Sequence, residues 1–303
     1  MIFKDLSIIV ITKNQEKTIF QTIESLLNYS ENIIVYNDSS TDSTEKILAK
    51  FKRISIVNNN KSSVGPGKAR NLGARKALNK YLLFVDGDVI IEESFIKKAI
   101  SLIDEYCKLV CGKIVDYFYD ENWEFIGIKD RTQINKKFNS VGGIFLIEKK
   151  VFFEIGGFQE NIYSLEESFL LWKLQKKHFA KRIDEIMGTH HTRAPNNIKE
   201  IKRHIANKYY ISYGWAFKQS IKERILINYL EKCFFIFNWL LINILLILGL
   251  FFNIYISIFL AFFILLVLFV KNNMNVFVCL NKVTEKYIIT FYFILGLFTK
   301  PSR

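Results

Sequence analysis

The 303-residue chain has only four cysteines, and no two of them make a CxxC pair. Cys107 and Cys111 have no histidine nearby in the sequence, so buried thiols are expected there and not a zinc site. A Walker A loop is missing: the glycine-rich run Val64–Gly73 lacks the GxxxxGK[ST] order, which argues against ATP hydrolysis. No leader peptide is expected, because the apolar run Leu6–Ile11 is short and ends in Thr12, Lys13 and Asn14. Internal repeats and low-complexity linkers are also lacking. The largest absence is of charge, since no Asp, Glu, Lys or Arg occurs between Cys233 and Val270.

That charge-free block of 38 residues is too long for one membrane span, which needs about 20 residues, and suffices for two short ones. Gly249–Asn253 is the natural turn, giving spans over about 233–250 and 254–270 that form a helical membrane hairpin. Lys199, Lys202, Arg203, Lys208, Lys218, Lys222, Arg224 and Lys232 precede the block, where the positive-inside rule expects a cytosolic flank. Tyr209, Tyr210, Tyr213, Trp215 and Phe217 are interleaved with them, as in an interfacial segment. The net charge of +13 admits nucleic acid, anionic lipid or a phosphorylated substrate; basic residues gathered beside an apolar block favour membrane lipids over nucleic acid. The apolar segment 287–298 is too short to span and reads as either interfacial or re-entrant. A catalytic domain over 1–225, facing the cytosol, and a multi-pass membrane region over 226–303 are therefore expected.

The soluble part alternates short β-branched runs with helical spacing. Strands are expected at Leu6–Ile11, Ile33–Tyr36, Ile54–Val57 and Tyr81–Val85, with helices over Asn14–Asn28 and Gly67–Leu78 and a helical pattern through Ile47, Leu48 and Phe51. Beyond a helix at Phe95–Ile103, further strands are expected at Val110–Phe118, Gly142–Ile147 and Arg182–Met187, and helices at Lys150–Glu154 and Glu166–Lys177. This order predicts an α/β fold with a doubly wound, mainly parallel sheet. Ligands bind such sheets beyond the carboxyl ends of the strands, where Thr12–Asn14, Asn37–Asp38 and Asp86–Asp88 all fall.

Asp86-Gly87-Asp88 follows a buried strand, and two carboxylates so spaced can aim at one hard cation; Asp and Gly also favour plain turns. Asp38 can accept a hydrogen bond from a base or ribose, while Ser40 or Asp42 can cap the next helix. Lys68 or Arg70, at a glycine-rich helix start, can lie against a nucleotide. Glu166 and Glu167 open a helix, where the dipole favours carboxylates, and either can serve as a general base. His190 and His191 point to opposite faces if they lie on a strand, so at most one can join a metal site.

In this order the motifs resemble the family 2 inverting glycosyltransferases, which have the GT-A fold. The matching pieces are LSIIVITKNQEKTI at 6–19, IIVYNDSSTDST at 33–44, GKARNLGARKA at 67–77, YLLFVDGDV at 81–89, GGIFLIEKKVFFEIGGFQE at 142–160 and LEESFLLWKL at 165–174. The resemblance implies a nucleotide-sugar donor, such as a UDP-sugar, lying against Thr12, Asn14, Asp38, Gly67, Arg70 and Asp86. It implies Mn²⁺ or Mg²⁺ at Asp86, Asp88 and His190, with Glu167, or else Glu166, as catalytic base. The sequence departs from the family pattern at several points. Asn37 stands where many members have Asp, and Glu166-Glu167 where Glu-Asp is common. Phe169 and Lys173 replace the usual acidic residue and arginine, and His190-His191-Thr192 replaces His-x-His.

The resemblance further implies inverting transfer of one sugar, because the QxxRW motif of processive synthases is absent. A lipid-linked or surface glycan is the expected acceptor, from the membrane hairpin alone. A nucleotidyltransferase acting on sugar phosphates and a non-catalytic membrane scaffold are the rival readings. The late carboxylate pair argues against the first and the intact DGD against the second.

Overall fold

The computed structural model describes residues 2–131, 138–194, 197–252, 262, 267 and 276–301. The chain separates into two compact units, Met1–Ala194 and Pro195–Arg303. The first is built on a nine-stranded mixed sheet.

Its strands β1 (Leu6–Thr12), β2 (Asn32–Asp38), β3 (Ser55–Asn59) and β4 (Tyr81–Asp86) are mutually parallel, in the spatial order β3-β2-β1-β4. Helices cross between them: α1 (Ile19–Leu26), α2 (Thr44–Leu48) and α3 (Pro66–Arg75). Parallel strands covered on both faces read as unbroken apolar runs. Accordingly Ile8, Ile9, Val10, Leu82, Leu83 and Phe84 are all fully buried. Register places Thr12 beside Asn37, and Ile11 beside Asp86, so the polar ends of β1, β2 and β4 finish level.

Past β4 the sheet turns mixed. β5 (Val89–Ile91), α4 (Glu93–Leu102), β6 (Cys107–Tyr119), β7 (Phe125–Asp130), β8 (Phe145–Glu148), α5 (Lys149–Glu154), α6 (Glu166–Leu174) and β9 (Phe179–Arg193) follow in the chain. β8 runs antiparallel to β4, and the order continues β8-β6-β9-β5, with β7 paired on β6. β5 and β7 have no counterpart in the sequence reading: one is three residues long, and the other is largely exposed. β8 starts three residues later than expected because Gly142 and Gly143 take left-handed φ values of 75° and 81°. β9 is longer than Arg182–Met187 and carries His190 and His191 on the strand itself.

The second unit holds helices α7 (Asn197–Ala206), α8 (Ser212–Lys222), α9 (Leu226–Phe252) and α10 (Val276–Phe298). Leu226–Gly249 of α9 is long and apolar enough to cross a membrane, by length and composition. It contains most of the expected first span and begins seven residues before Cys233. The expected second span, 254–270, lies outside the described residues apart from 262 and 267. Segment 287–298 is the second half of the 23-residue α10, which carries Lys282, Glu285 and Lys286 in its first half. Gly214 of α8 and Gly296 of α10 meet, and a Cβ on Gly214 would lie 2.7 Å from the Gly296 Cα. Trp215 Nε1 donates to Thr299 Oγ1 at 3.1 Å, and Lys218 donates to the Leu297 carbonyl at the end of α10. α7 and α8, which fall inside the expected catalytic segment 1–225, belong to the C-terminal unit.

A glycine also controls how α3 seats on the sheet. A Cβ on Gly73 would stand 2.6 Å from Ile9 Cγ2, in the middle of β1. Gly73→Leu should therefore cost about 1–3 kcal/mol through overpacking, read as a lower urea midpoint at unchanged m-value. An unchanged midpoint would show that α3 can move away from the sheet freely.

Candidate active site

Asp86 ends β4, and Gly87 turns the chain into β5. The turn is fastened on both sides of the peptide: Gly87 N donates to the Ile11 carbonyl at 2.9 Å, and the Gly87 carbonyl accepts the hydroxyls of Thr18 and Thr22, each at 3.1 Å. A Cβ on Gly87 would lie 2.9 Å from the Thr12 Cβ, so Thr12 packs against the turn; its hydroxyl donates to Gln15 Oε1 at 2.9 Å.

The short strand β5 then fixes Asp88. β5 pairs with β9 so that Val89 stands opposite His190, while β6 on the other side of β9 sets Asp116 opposite His190. His190 is accordingly held between two carboxylates, with Nδ1 2.7 Å from Asp116 Oδ1 and Nε2 3.3 Å from Asp88 Oδ2. Arg131 makes a 2.8 Å ion pair with Asp116. Burial disfavours the imidazolium, but the bonds to Asp88 and Asp116 outweigh it and raise the His190 pKa. His191 turns to the opposite face, as neighbours on a strand must. There its Nδ1 lies 2.8 Å from the Tyr119 hydroxyl and its ring stacks on Tyr117 at 5.1 Å.

Asp88 Oδ1 is buried and has no hydrogen-bond partner. An unpartnered buried carboxylate oxygen is costly, and a cation is one partner that would satisfy it. Oxygen and imidazole donors suit Mg²⁺ or Mn²⁺, so Asp88 and His190 fit a divalent ion. Among the described residues, however, no three Asp, Glu, His or Cys side chains converge into a full protein cage. Such an ion would need its remaining ligands from a substrate.

A second cluster forms around Arg70, on the buried side of α3. Its side chain is 3% exposed, and it faces three carboxylates: Asp86 Oδ1 at 2.8 Å, Glu166 Oε1 at 3.2 Å and Glu167 Oε1 at 3.4 Å. The Phe158 ring lies 5.2 Å from the guanidinium carbon. Burial opposes the charge on Arg70, yet Asp86, Glu167 and Glu166 together raise its pKa. Glu166 and Glu167 begin α6, where the helix dipole favours negative charge. Burial raises the Glu167 carboxyl to about 7; Arg70 opposes the rise, while Glu166 and Asp86 add to it. Ser140 Oγ donates to Glu167 Oε2 at 3.3 Å. Gly143 passes close to both carboxylates, since a Cβ there would lie 3.2 Å from the Asp86 Cγ and 3.3 Å from Glu167 Oε1.

The remaining expected residues bind the loops around the strand ends. Asp38 accepts four hydrogen bonds: from Asn59 Nδ2 (2.9 Å), Ser63 Oγ (2.6 Å), Val64 N (3.0 Å) and Gly65 N (3.2 Å). Asn14 takes φ = 55°, which asparagine tolerates, and its Oδ1 accepts Thr41 N at 2.7 Å. Gly67 is buried behind the start of α3, where a Cβ would stand 3.0 Å from the Gln159 carbonyl. Asp116, Ser140 and Gly143 were not singled out from the sequence. Asp116 and Ser140 are placed by a strand pairing and a turn that leave no local motif, whereas Gly143 lies in the matching piece at 142–160 without being given a role there.

A mostly parallel sheet with a DGD turn after its fourth strand, and a carboxylate pair brought to that turn from a later helix, defines a GT-A glycosyltransferase. A family model for glycosyl transferase family 2 matches residues 7–164, over half of the chain, and the protein belongs to that family. It is 34% identical over 108 residues to the poly(ribitol-phosphate) β-N-acetylglucosaminyltransferase TarS of Staphylococcus aureus, an alignment covering 33% of this chain and 19% of TarS. It is 26% identical over 189 residues to the poly-β-1,6-N-acetyl-D-glucosamine synthase of Staphylococcus epidermidis, covering 56% of this chain and 45% of the relative. The chain thus spans less than half the length of either. The fold resembles S. aureus TarS residues 1–349 in complex with UDP-GlcNAc, with a TM-score of 0.53 at 20% identity over 75% of this chain and 72% of that one. It also resembles the mannosyltransferase PcManGT of Pyrobaculum calidifontis in complex with GDP-Man and Mn²⁺ (TM-score 0.52, 13% identity, 75% and 69% covered).

The four bonds on Asp38 make a direct prediction. Asp38→Asn puts an N–H donor among donors, so the Val64 and Gly65 amides should exchange with solvent at least about tenfold faster, a loss of about 1.4 kcal/mol of local protection. Unchanged exchange by mass spectrometry would mean that other bonds hold the 59–65 loop.

Proposed function

We propose that this glycosyltransferase moves a single sugar, with inversion, from a nucleotide-sugar, and specifically a UDP-sugar, to a hydroxyl of a lipid-linked or membrane-associated surface glycan. The observation that carries the reading is the convergence of Asp86, at the donor end of the parallel strands, with Glu167, at the start of α6, on one buried guanidinium. The donor and a proton acceptor would then meet at one point.

In this reading Thr12, Asn14, Asp38 and Asp86 line the donor site, at the strand ends where such sheets bind ligands, and Gly67 supports it from behind by letting the 158–166 segment close over the start of α3. Asp88 and His190 would hold Mn²⁺ or Mg²⁺; Asp86, expected as a third ligand, is bonded to Arg70 at 2.8 Å and stays on the donor side. When bound, the ion supplies Lewis-acid stabilisation of the charge that develops on the departing nucleoside diphosphate. Glu167 accepts the proton of the acceptor hydroxyl as its oxygen attacks the anomeric carbon in line, and Ser140 holds the carboxylate in place through its 3.3 Å bond. One displacement inverts the anomeric centre. Glu166 is the second candidate base; it is the less exposed of the two carboxylates, 11% against 19%.

The membrane side of the reading rests on α9 and on the basic residues before it. The basic flank before α9 would keep the catalytic unit on the cytosolic face, beside lipid-borne acceptors. The relatives are named for N-acetylglucosamine transfer on poly(ribitol-phosphate) and for synthesis of poly-β-1,6-N-acetyl-D-glucosamine, which agrees with a polymeric acceptor.

The test is release of nucleoside diphosphate from a panel of nucleotide-sugars, with bacterial membrane extract as acceptor and with or without Mn²⁺. Release from one donor, dependent on metal and reduced about 100- to 10,000-fold in Glu167→Gln, is expected. Asp88→Ala should also abolish it. Because the base works only when unprotonated and its pKa is raised to about 7, kcat/KM should rise with pH through neutrality and fall below it. Silence across the panel, or a rate that is flat with pH and intact in both variants, would refute the reading.

A further inference from the structure

Arg70 is so placed that its bonding capacity is directed to the protein and not to a ligand. Nη1 meets Glu166 at 3.2 Å, and Nη2 meets both Asp86 at 2.8 Å and Glu167 at 3.4 Å. Phe158 covers the group, and Nε is buried without a hydrogen-bond partner. With 3% of the side chain exposed, little of it is available to a nucleotide.

We propose that Arg70 is a positioning residue: it fixes the spacing between Asp86 on the donor side and Glu167 on the acceptor side. The proposal rests on the reading of Glu167 as the base. Asp86 and Glu167 come from β4 and α6, and no direct bond between their side chains joins them. The planar, rigid fork of a guanidinium on α3 spans the gap, one nitrogen serving both carboxylates. From the other side, Gly143 presses its backbone against the same two groups, which a side chain at that position would push apart. Ser140 holds the far oxygen of Glu167, and Arg182 in turn holds the Ser140 carbonyl at 2.8 Å. Without Arg70, three like charges would share a cavity with no counter-ion and would separate. A shift of the base by about 1 Å suffices to lose about 100-fold in rate without loss of donor binding.

Arg70→Gln and Arg70→Lys are compared with the wild-type full chain in membranes, alongside Arg75→Gln. Arg75 lies on the same helix, is 62% exposed and pairs only loosely with Glu160 at 3.5 Å, so its variant should match wild type. Two quantities are read: kcat at saturating donor, and the equilibrium Kd for UDP. The positioning role predicts a kcat loss of about 100-fold or more in Arg70→Gln, with the UDP Kd within about threefold of wild type. Arg70→Lys should recover part of the loss, because it keeps the charge but not the fork. A UDP Kd raised about tenfold or more with kcat unchanged would overturn the proposal and make Arg70 a donor ligand. Wild-type kcat in both variants would also overturn it. If Arg70→Gln fails to fold by circular dichroism, the same two quantities in Arg70→Lys decide the matter. A wild-type protein that turns over no donor refutes the transferase reading itself, which the control distinguishes from failure of the Arg70 role alone.

Discussion

The site depends on one buried cation. Arg70 is taken out of water on the inner face of α3, and isolated burial of a guanidinium would be prohibitive. It is tolerated because three carboxylates surround it, and they in turn tolerate one another only because it is there. Removing one partner of such a buried arrangement costs about 3–5 kcal/mol in general, since the group left behind is uncompensated. This mutual dependence ties three separate segments together: the middle of α3, the end of β4 and the start of α6. The same constraint explains the seating of α3. Gly73 must let the helix approach β1, and Gly67 must let the α6 approach segment close over it, for the guanidinium to reach Asp86 and Glu166 together.

A second constraint, the register of three short strands, orders the other half of the site. Asp88 would be a loop carboxylate if β5 did not pair with β9. The pairing turns it toward His190, and the continuation through β6 supplies Asp116 behind the imidazole. A histidine held between two carboxylates is both oriented and kept charged or ligand-ready, depending on what faces Asp88. The buried, unpartnered Asp88 oxygen marks where the arrangement is incomplete without a ligand.

What could be read in advance follows from these two constraints. β1, β2 and β4 were legible because they are buried on both faces and are therefore continuous apolar runs, whereas β3, at the sheet edge, showed only as Ile54–Val57; the polar strand ends followed from the residues that close those runs. Asp86 and Asp88 were legible because they follow one of those runs, and Glu166 and Glu167 because they open the apolar helix through 169–174. Arg70 was visible as a basic residue at a helix start, but sequence alone could not show which way it points. That depends on helix phase: Lys68, two residues earlier, is exposed and Arg70 is not. Asp116 and Ser140 could not be found, because they meet their partners across 74 and 27 residues respectively. β5 and β7 carry too few buried residues to produce a periodic signal.

The departures from the family pattern have local physical accounts. Phe169, where an acidic residue is usual, is fully buried against Trp172 at 5.4 Å, so in this chain that turn of α6 joins the core. Lys173, in place of the usual arginine, donates to the Gly157 carbonyl at 2.8 Å and so pins α6 to the Gly156-Gly157 turn, which precedes Phe158. Phe158 is the ring that covers Arg70. The substitution of Glu for Asp at 167 lengthens the arm by one methylene, and the longer arm is the one that reaches Arg70 with one oxygen and Ser140 with the other. A shorter carboxylate on the same backbone would have to give up one of those bonds or draw α6 inward, against Gly143. These three departures all lie on α6: Phe169 adds packing, Lys173 adds a bond to the Gly156-Gly157 turn, and Glu167 supplies an arm long enough to meet the guanidinium and Ser140 together.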